Sequence, residues 1–393
     1  MAITDKEKGV WGLDEVYNKI NQGGIWEYTS PEDGIFVWGT NQYGQLGLSQ
    51  PTSSNASSPI QLPGNHPKLW TTSDADYAAI SSSGSDATGY DLWVWGIAWR
   101  GVLGLNGSSN ANISSPMQIP GTNWKHVTGS IWSMTGTKTD GTLWSWGENG
   151  SGQHGVNDRT ERSSPIQVGT DTTWTGAINN SATAANHAFK TDGTLWSWGY
   201  NGYGELGLNN RTKYSSPTQV GSGAEYSAVT GRASTDIAFM KSNGTLWMAG
   251  RNVYGALGLN DTAGRSSPTQ LPGTNWSSAT TSYSSAMATK TDGTLWAWGN
   301  GLSGMLGIND EVKRSSPTQI GTNTNWSNTF SLGRTSGAIK TDGTLWLWGA
   351  NNAGELGQNG TTQRSSPIQV GTDTDWDRLL TASWIKQTYA GKQ

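Results

Sequence analysis

The 393-residue chain contains no cysteine. That excludes disulfides, thiolate metal sites and cysteine nucleophiles together, and makes the chain indifferent to redox compartment. Charged residues make up only 14% of the sequence and the net charge is −4. Nucleic-acid affinity rests on neutralising phosphates with clustered basic side chains, and no such cluster is present, so no nucleic-acid partner is expected. No apolar run approaches the roughly 20 residues that a bilayer-spanning helix needs, so no membrane insertion is expected. Residues 1–10 carry no apolar core, so no secretory signal is expected. The four histidines (His66, His126, His154 and His187) are scattered without metal-ligand spacing, and no Gly-rich phosphate loop opens a helix. The expectation is therefore no cofactor, no metal, no catalytic residues and no enzymatic activity.

What the chain has in excess is glycine (54) and tryptophan (23). Both follow from an internal repeat. The element Ser-Ser-Pro-x-Gln occurs seven times, with its proline at Pro59, Pro116, Pro165, Pro217, Pro268, Pro317 and Pro367. Upstream of each lies a Trp-Gly pair, at Trp38, Trp95, Trp146, Trp198, Trp298 and Trp348, with Ala249-Gly250 in the remaining copy. A further tryptophan opens most units, at Trp70, Trp124, Trp174, Trp276, Trp326 and Trp376, with Tyr226 in the other. Asp140-Gly141, Asp192-Gly193, Asn243-Gly244, Asp292-Gly293 and Asp342-Gly343 mark tight hairpins between strand-like runs, because glycine takes positive φ without steric penalty.

Four short strands in each unit of about 50 residues, repeated seven times, predict an all-β, seven-bladed β-propeller. The chain ends fit a closed ring. The last unit stops after Ala390-Gly391-Lys392-Gln393, where the turn should come, and the missing half stands at Asp33–Gly39. One blade is thus expected to be shared between the two chain ends, which leaves no free sheet edge. The predicted organisation is an N-terminal segment, 1–32, and a propeller, 33–393. Within the segment, Leu13, Val16, Tyr17 and Ile20 share one face of a short helix that Gly23-Gly24 would end, flanked by Trp11 and Trp26. These six residues are the candidate anchoring set.

The run Trp38-Gly39-Thr40-Asn41-Gln42-Tyr43-Gly44-Gln45-Leu46-Gly47 resembles the regulator-of-chromosome-condensation repeat. The resemblance covers about residues 33–393 and implies a seven-bladed propeller with split-blade closure. It leaves function open, since such propellers serve as a nucleotide-exchange factor for a small nuclear GTPase, as ubiquitin-ligase modules and as a secreted β-lactamase inhibitor. The stretch from Lys8 to Ile20 resembles short N-terminal modules of tailed-phage virion proteins. That second resemblance implies a non-enzymatic virion structural protein, made in the host bacterial cytoplasm. It would be a display or adhesion domain for head decoration or tail receptor binding. Its partners would be other virion proteins through residues 9–28, with a host surface protein or glycan as a further ligand. The alternative is a soluble protein-interaction module, an inhibitor or exchange-factor-like regulator, that binds one partner through its propeller face.

Three positions in the loop after each Trp-Gly pair change from unit to unit while the frame stays fixed. They supply the candidate binding residues Gln42, Tyr43, Trp99, Arg100, Tyr200, Tyr203, Arg251, Tyr254 and Leu302. Tyr, Trp and Arg are the side chains enriched at binding hot spots. The arginines before Ser-Ser-Pro (Arg162, Arg265, Arg314 and Arg364) read as surface ion-pair or capping positions.

Overall fold

The computed structural model describes residues 36–392, apart from 40, 42, 45, 50–55, 62–67, 73–76, 86–87, 108–111, 131, 180–182, 232–233, 283, 353–354, 359 and 382–387. The predicted N-terminal helix and its anchoring residues lie outside the described residues. The described chain is all antiparallel sheet, with two single turns of 3-10 helix at Trp99–Gly101 and Leu302–Gly304.

Six four-stranded units follow one another, each a meander in chain order. Unit 1 spans 68–118, unit 2 124–167, unit 3 174–220, unit 4 226–270, unit 5 276–319 and unit 6 326–369. Units 1 and 2 join into one eight-stranded sheet through the pairing of Tyr90 with Trp124. Two further two-stranded sheets flank the series, Phe36–Gly39 with Ala56–Gln61 and Trp376–Thr381 with Thr388–Lys392. Among the described residues no pairing joins these two, and Gly34 and Gln393 fall outside them.

The architecture of one unit follows from its tryptophans. In unit 3 the opening Trp174 meets Trp196 and Trp198 of the third strand edge to face, with ring centroids 6.2 Å apart in both pairs. The same trio recurs as Trp124, Trp144 and Trp146, as Trp276, Trp296 and Trp298, and as Trp326, Trp346 and Trp348. The second strand makes room for it. Ala188 stands opposite Trp196 and Gly136 opposite Trp144. A Cβ added at Gly136 would come within 2.9 Å of the Trp124 ring.

The Asp-Gly turn is a small hydrogen-bonded device. Asp192 Oδ1 accepts from the Thr194 N–H at 2.9 Å and from its hydroxyl at 2.7 Å, and Thr194 Oγ1 in turn accepts from Trp196 Nε1 at 2.9 Å. Lys190, which ends the second strand, places its ammonium 4.0 Å from the Trp196 ring centre and 4.8 Å from that of Trp174. Lys138, Lys241, Lys290 and Lys340 repeat this cation–π stack.

Neighbouring units pack through their first strands, so that Trp174–Asn179 lies on both Trp124–Gly129 and Ser133–Lys138. Two kinds of hydrogen bond stitch one unit to the next. The last tryptophan of a third strand donates its indole N–H to a loop carbonyl of the preceding unit: Trp146 to Val102, Trp198 to Gln153, Trp298 to Ala256 and Trp348 to Met305, all between 2.8 and 3.0 Å. In the opposite sense, a left-handed asparagine at the end of five of these loops donates its backbone N–H to the carbonyl of the first serine of the next unit's Ser-Ser-Pro. These bonds run from Asn106 to Ser163, Asn157 to Ser215, Asn209 to Ser266, Asn260 to Ser315 and Asn309 to Ser365, at 2.7–2.8 Å. The repeated Asn and Ser-Ser-Pro elements are the two halves of this contact.

Unit 4 breaks the pattern and repairs it. Ala249 stands where the last tryptophan should be, and Tyr226 replaces the opener. Phe239 occupies the second-strand position that is Gly or Ala in units 2, 3, 5 and 6. Its ring is fully buried and lies 5.8 Å from Tyr226. A Cβ at Gly207 would meet Phe239 at 3.1 Å, just as one at Gly155 would meet the Trp198 indole at 3.0 Å. The phenyl ring thus fills the indole's place from the adjacent strand. It cannot fill the indole's role as a donor.

Candidate functional site

The loop between the third and fourth strands carries the variable positions, and in units 2, 3, 4 and 6 one buried asparagine holds its shape. Asn201 Oδ1 accepts from the Leu206 N–H at 3.0 Å, while its Nδ2 donates to the carbonyls of Asn210 and Thr212, each at 3.0 Å. Asn149, Asn252 and Asn351 make the same bonds in their units. The loop's outer stem is closed by an ion pair where Asp stands four residues before Arg. Arg162 reaches Asp158 at 2.7 Å and Arg314 reaches Asp310 at 2.6 Å, with Arg265 on Asp261 likewise. The arginines before Ser-Ser-Pro are ion-paired at these three positions, as their sequence context suggested.

On these loops the candidate binding residues distribute unevenly. Gln42 lies outside the described residues, and Tyr43 is half-buried. Trp99 is 43% exposed and packs edge-on against Trp132 at 4.9 Å. Arg100, held at a positive φ, stacks on Trp99 and bonds Glu148 at 3.0 Å and Glu161 at 2.8 Å in unit 2. Its charge is engaged within the protein. Tyr200, Tyr203 and Arg251 come together across the junction of units 3 and 4. The two tyrosine rings are 6.3 Å apart, the Arg251 guanidinium lies 4.9 Å from the Tyr203 ring, and Lys213 lies 5.0 Å from the Tyr200 ring. Tyr254, on the same loop as Arg251, and Leu302, on the loop of unit 5, are exposed.

Beneath this junction are two buried carboxyls that the sequence reading passed over. Glu205 is fully buried. One of its oxygens accepts from the Tyr203 N–H at 2.8 Å, and the other has no hydrogen-bond partner. Burial pushes its pKa up to about 7, with the nearby charge of Asp236 adding to the shift. Asp236, equally buried, accepts from the Asn252 N–H at 2.8 Å and is pushed up by burial to about 6. Tyr200, above them, is also raised, first by burial and then by Glu205. Val253, Val312, Trp132 and Lys213 complete the surface and were likewise not singled out. The replacement of tryptophan by Ala249 and by Tyr226 in unit 4 was the sequence signal marking this junction as different.

The buried histidines serve packing. His154 Nδ1 bonds the Ser145 hydroxyl at 2.9 Å and its Nε2 the Gly147 carbonyl at 3.0 Å, while His187 Nδ1 bonds the Ser197 hydroxyl at 2.7 Å. Burial lowers the two to about 4 and about 3, so both are neutral at physiological pH. Among the described residues no group of three or more His, Asp or Glu side chains is placed to hold a metal ion.

Comparison with known proteins agrees with this construction. The family model for the regulator of chromosome condensation (RCC1) repeat matches residues 32–70, 192–235, 292–335 and 342–382. The chain is 29% identical over 236 residues to the Ultraviolet-B receptor UVR8 of Arabidopsis thaliana, a match covering 58% of this chain and 52% of the receptor. It is 27% identical over 203 residues to the E3 ubiquitin-protein ligase HERC2 of Homo sapiens, covering 47% of this chain but 4% of the ligase. The chain thus spans about half the length of the receptor and a small part of the ligase. Among solved structures, human WBSCR16 superposes with a TM-score of 0.72 at 18% identity, covering 89% of this chain and 96% of that one. Prp20p of Saccharomyces cerevisiae superposes with a TM-score of 0.68 at 16% identity, covering 89% of each. These relatives overturn the expectation of a tailed-phage virion protein. They are eukaryotic proteins, a receptor, a ubiquitin-protein ligase and Prp20p, and none of these is a virion component. The resemblance carried by about 20 residues at the N-terminus is outweighed by a repeat that runs through the rest of the chain. Residues 32–70, 192–235, 292–335 and 342–382 are thus regulator-of-chromosome-condensation repeats by the family model, and the superpositions show the same fold.

Proposed function

We propose that the chain is a non-catalytic protein-interaction module that binds a partner protein through the loops following its third strands. One observation carries the reading. Of the six large hydrophobic side chains that are exposed among the described residues, five (Trp99, Val253, Tyr254, Leu302 and Val312) sit on these loops. Val253 and Tyr254 stand on the loop that Asn252 fixes by buried hydrogen bonds, so little ordering entropy is lost there on binding. Tyr200, Tyr203 and Arg251 continue the same surface with the residue types that anchor protein interfaces. The crystal structures of yeast Prp20 relate it to protein partners, namely Gsp1p, histones and Kap60, which supports a similar mode here.

The same reading extends to the ring as a whole. Residues 33–393 form a seven-bladed propeller, in which Phe36–Gly39 takes the third-strand place and Thr388–Lys392 the second-strand place of a shared blade. The support is the repeat register, because Lys392 pairs with Trp376 as Lys190 pairs with Trp174.

Affinity purification from the native source tests the interaction surface, comparing the wild-type chain with a Tyr254→Ala, Leu302→Ala double variant of unchanged thermal stability. The expected outcome is a stoichiometric protein partner held by the wild type and lost at least tenfold by the variant. Equal recovery by both would remove the loop surface as the binding site.

A further inference from the structure

The junction of units 3 and 4 carries a charge pattern that unit 2 lacks. In unit 2 the loop after the third strand bears Glu148, Asp158 and Glu161. All three are engaged inside the protein, Asp158 by Arg162 and the two glutamates by Arg100 of unit 1. At the matching places in unit 3 stand Tyr200, Asn210 and Lys213. Asn210 Nδ2 donates to the Tyr214 hydroxyl at 2.9 Å, so a neutral bond replaces the ion pair that closes the stems of units 2, 4 and 5. Arg211 keeps the place of Arg159, and unit 4 adds Arg251.

Three cations therefore gather at this junction without a counter-ion. Among the described residues no carboxylate lies within ion-pair distance of Arg211, Lys213 or Arg251, and all three are exposed. Lys213 rests 5.0 Å from the Tyr200 ring centre and Arg251 4.9 Å from that of Tyr203. Arg211 reaches across to unit 4, its Nη2 3.5 Å from where a Cβ on Gly264 would stand. A cation resting on an aromatic face keeps its outer N–H groups for a carboxylate. The carboxyls beneath, Glu205 and Asp236, are buried and accept from backbone N–H groups, so they do not turn outward to neutralise the patch.

Spacing sets the ligand's class. Lys213 and Arg251 stand at the two ends of the Tyr200 and Tyr203 pair, whose ring centroids are 6.3 Å apart. They do not converge on one point, as the donors of a phosphate site do. They match carboxylates carried in succession along an extended chain. Val253 and Tyr254, exposed on the same loop as Arg251, offer an apolar side chain a place beside them. An isolated exposed ion pair adds little, so these contacts count when one segment makes several, and charge complementarity then steers and selects the partner.

We propose that the junction of units 3 and 4 docks an acidic, extended segment of a partner protein, with Arg211, Lys213 and Arg251 taking its carboxylates and Val253 and Tyr254 an adjoining apolar side chain. This rests on the reading of the loops as a protein-binding surface and names the chemistry of the partner.

Fluorescence anisotropy on the full chain tests it. The probes are a labelled twelve-residue peptide of repeated Glu-Glu-Leu, the same peptide with Gln for Glu, and a twelve-nucleotide oligothymidylate. The expected result is saturable binding of the Glu peptide that weakens as salt is raised, with the other two probes at least tenfold weaker. Lys213→Glu, which installs the residue that unit 2 carries at this place, should weaken the Glu peptide at least tenfold, and Arg251→Gln severalfold. Lys313→Glu, the same exchange at the matching place in unit 5, should change it less than twofold. No saturable binding of the Glu peptide, equal binding of the Gln peptide or the oligonucleotide, or equal losses with Lys213→Glu and Lys313→Glu overturns the proposal. If Lys213→Glu melts well below the wild type, Arg251→Gln decides the matter. A native partner lost with the Tyr254→Ala, Leu302→Ala variant but kept by Lys213→Glu overturns this proposal alone and leaves the loop surface standing.

Discussion

Asn201 shows how much a single side chain can hold. It is fully buried, and it serves one N–H and two carbonyls of its loop. Asn201→Ala strands all three, and each buried group left without a partner costs about 1–3 kcal/mol. We expect a loss of at least ~2 kcal/mol in chemical denaturation, and a wild-type midpoint would contradict the staple. Glu205 gives the opposite case. Its carboxyl is ordinary near 4.5 when the chain is unfolded and about 7 when folded, because burial disfavours the charge. Its contribution is therefore fully present below about pH 4.5, is lost as pH rises toward 7, and is constant above that. In unit 2 the same position is Gln153, whose Oε1 accepts from the Ser151 N–H at 2.8 Å as Glu205 does from Tyr203. Glu205→Gln should accordingly raise the melting temperature at pH 8 and leave it nearly unchanged at pH 4.5. A variant with the wild-type pH profile would show that Asp236 alone carries the effect.

At the scale of the element, unit 4 tests whether Phe239 substitutes for the missing indole. Phe239→Ala opens a cavity in a buried core and should cost about 3–5 kcal/mol. Ala249→Trp alone overpacks the same space and should cost about 1–3 kcal/mol. The double variant restores the arrangement of the neighbouring units and supplies the N–H that the Glu205 loop lacks. It should recover most of both losses in thermal unfolding; additive losses would show that the two residues do not share one volume. Much of the element scale was legible in the sequence. The Asp-Gly turns, the tryptophan trios and the arginine ion pairs fall where the repeat put them, because each depends on contacts within one unit. The phenylalanine exchange was not legible, since a residue on one strand compensates for a residue on the next. Nor was the pairing of Arg100 with Glu148 and Glu161, which joins residues 48 and 61 positions apart. The clustering of Tyr200 with Arg251 was hidden for the same reason. The aromatic positions were evident, but which loops converge depends on how neighbouring units meet.

Stitches run in both directions between successive units, except between units 3 and 4, where the indole stitch is missing and only Asn209 to Ser266 remains. The seventh, shared blade that we propose extends that logic to the chain ends. In register with unit 3, where His187 stands opposite Ser197, Tyr389 should oppose Val37. The chain has no cysteine of its own, so Val37→Cys with Tyr389→Cys gives a clean test. Rapid disulfide formation in the folded double variant, and a higher melting temperature in its oxidised form, are the expected outcomes. Failure to form the bond would leave the terminal sheets as separate edges.

The left-handed asparagines and the serines they grip have one more consequence. Neither uses the side chains at the crest of the loop, where Tyr203, Tyr254 and Leu302 stand. Specificity and cohesion are therefore written in different residues of the same segment. A library that randomises only crest positions, loop by loop, should yield folded variants with new targets, which makes the repeat a natural chassis for engineered recognition.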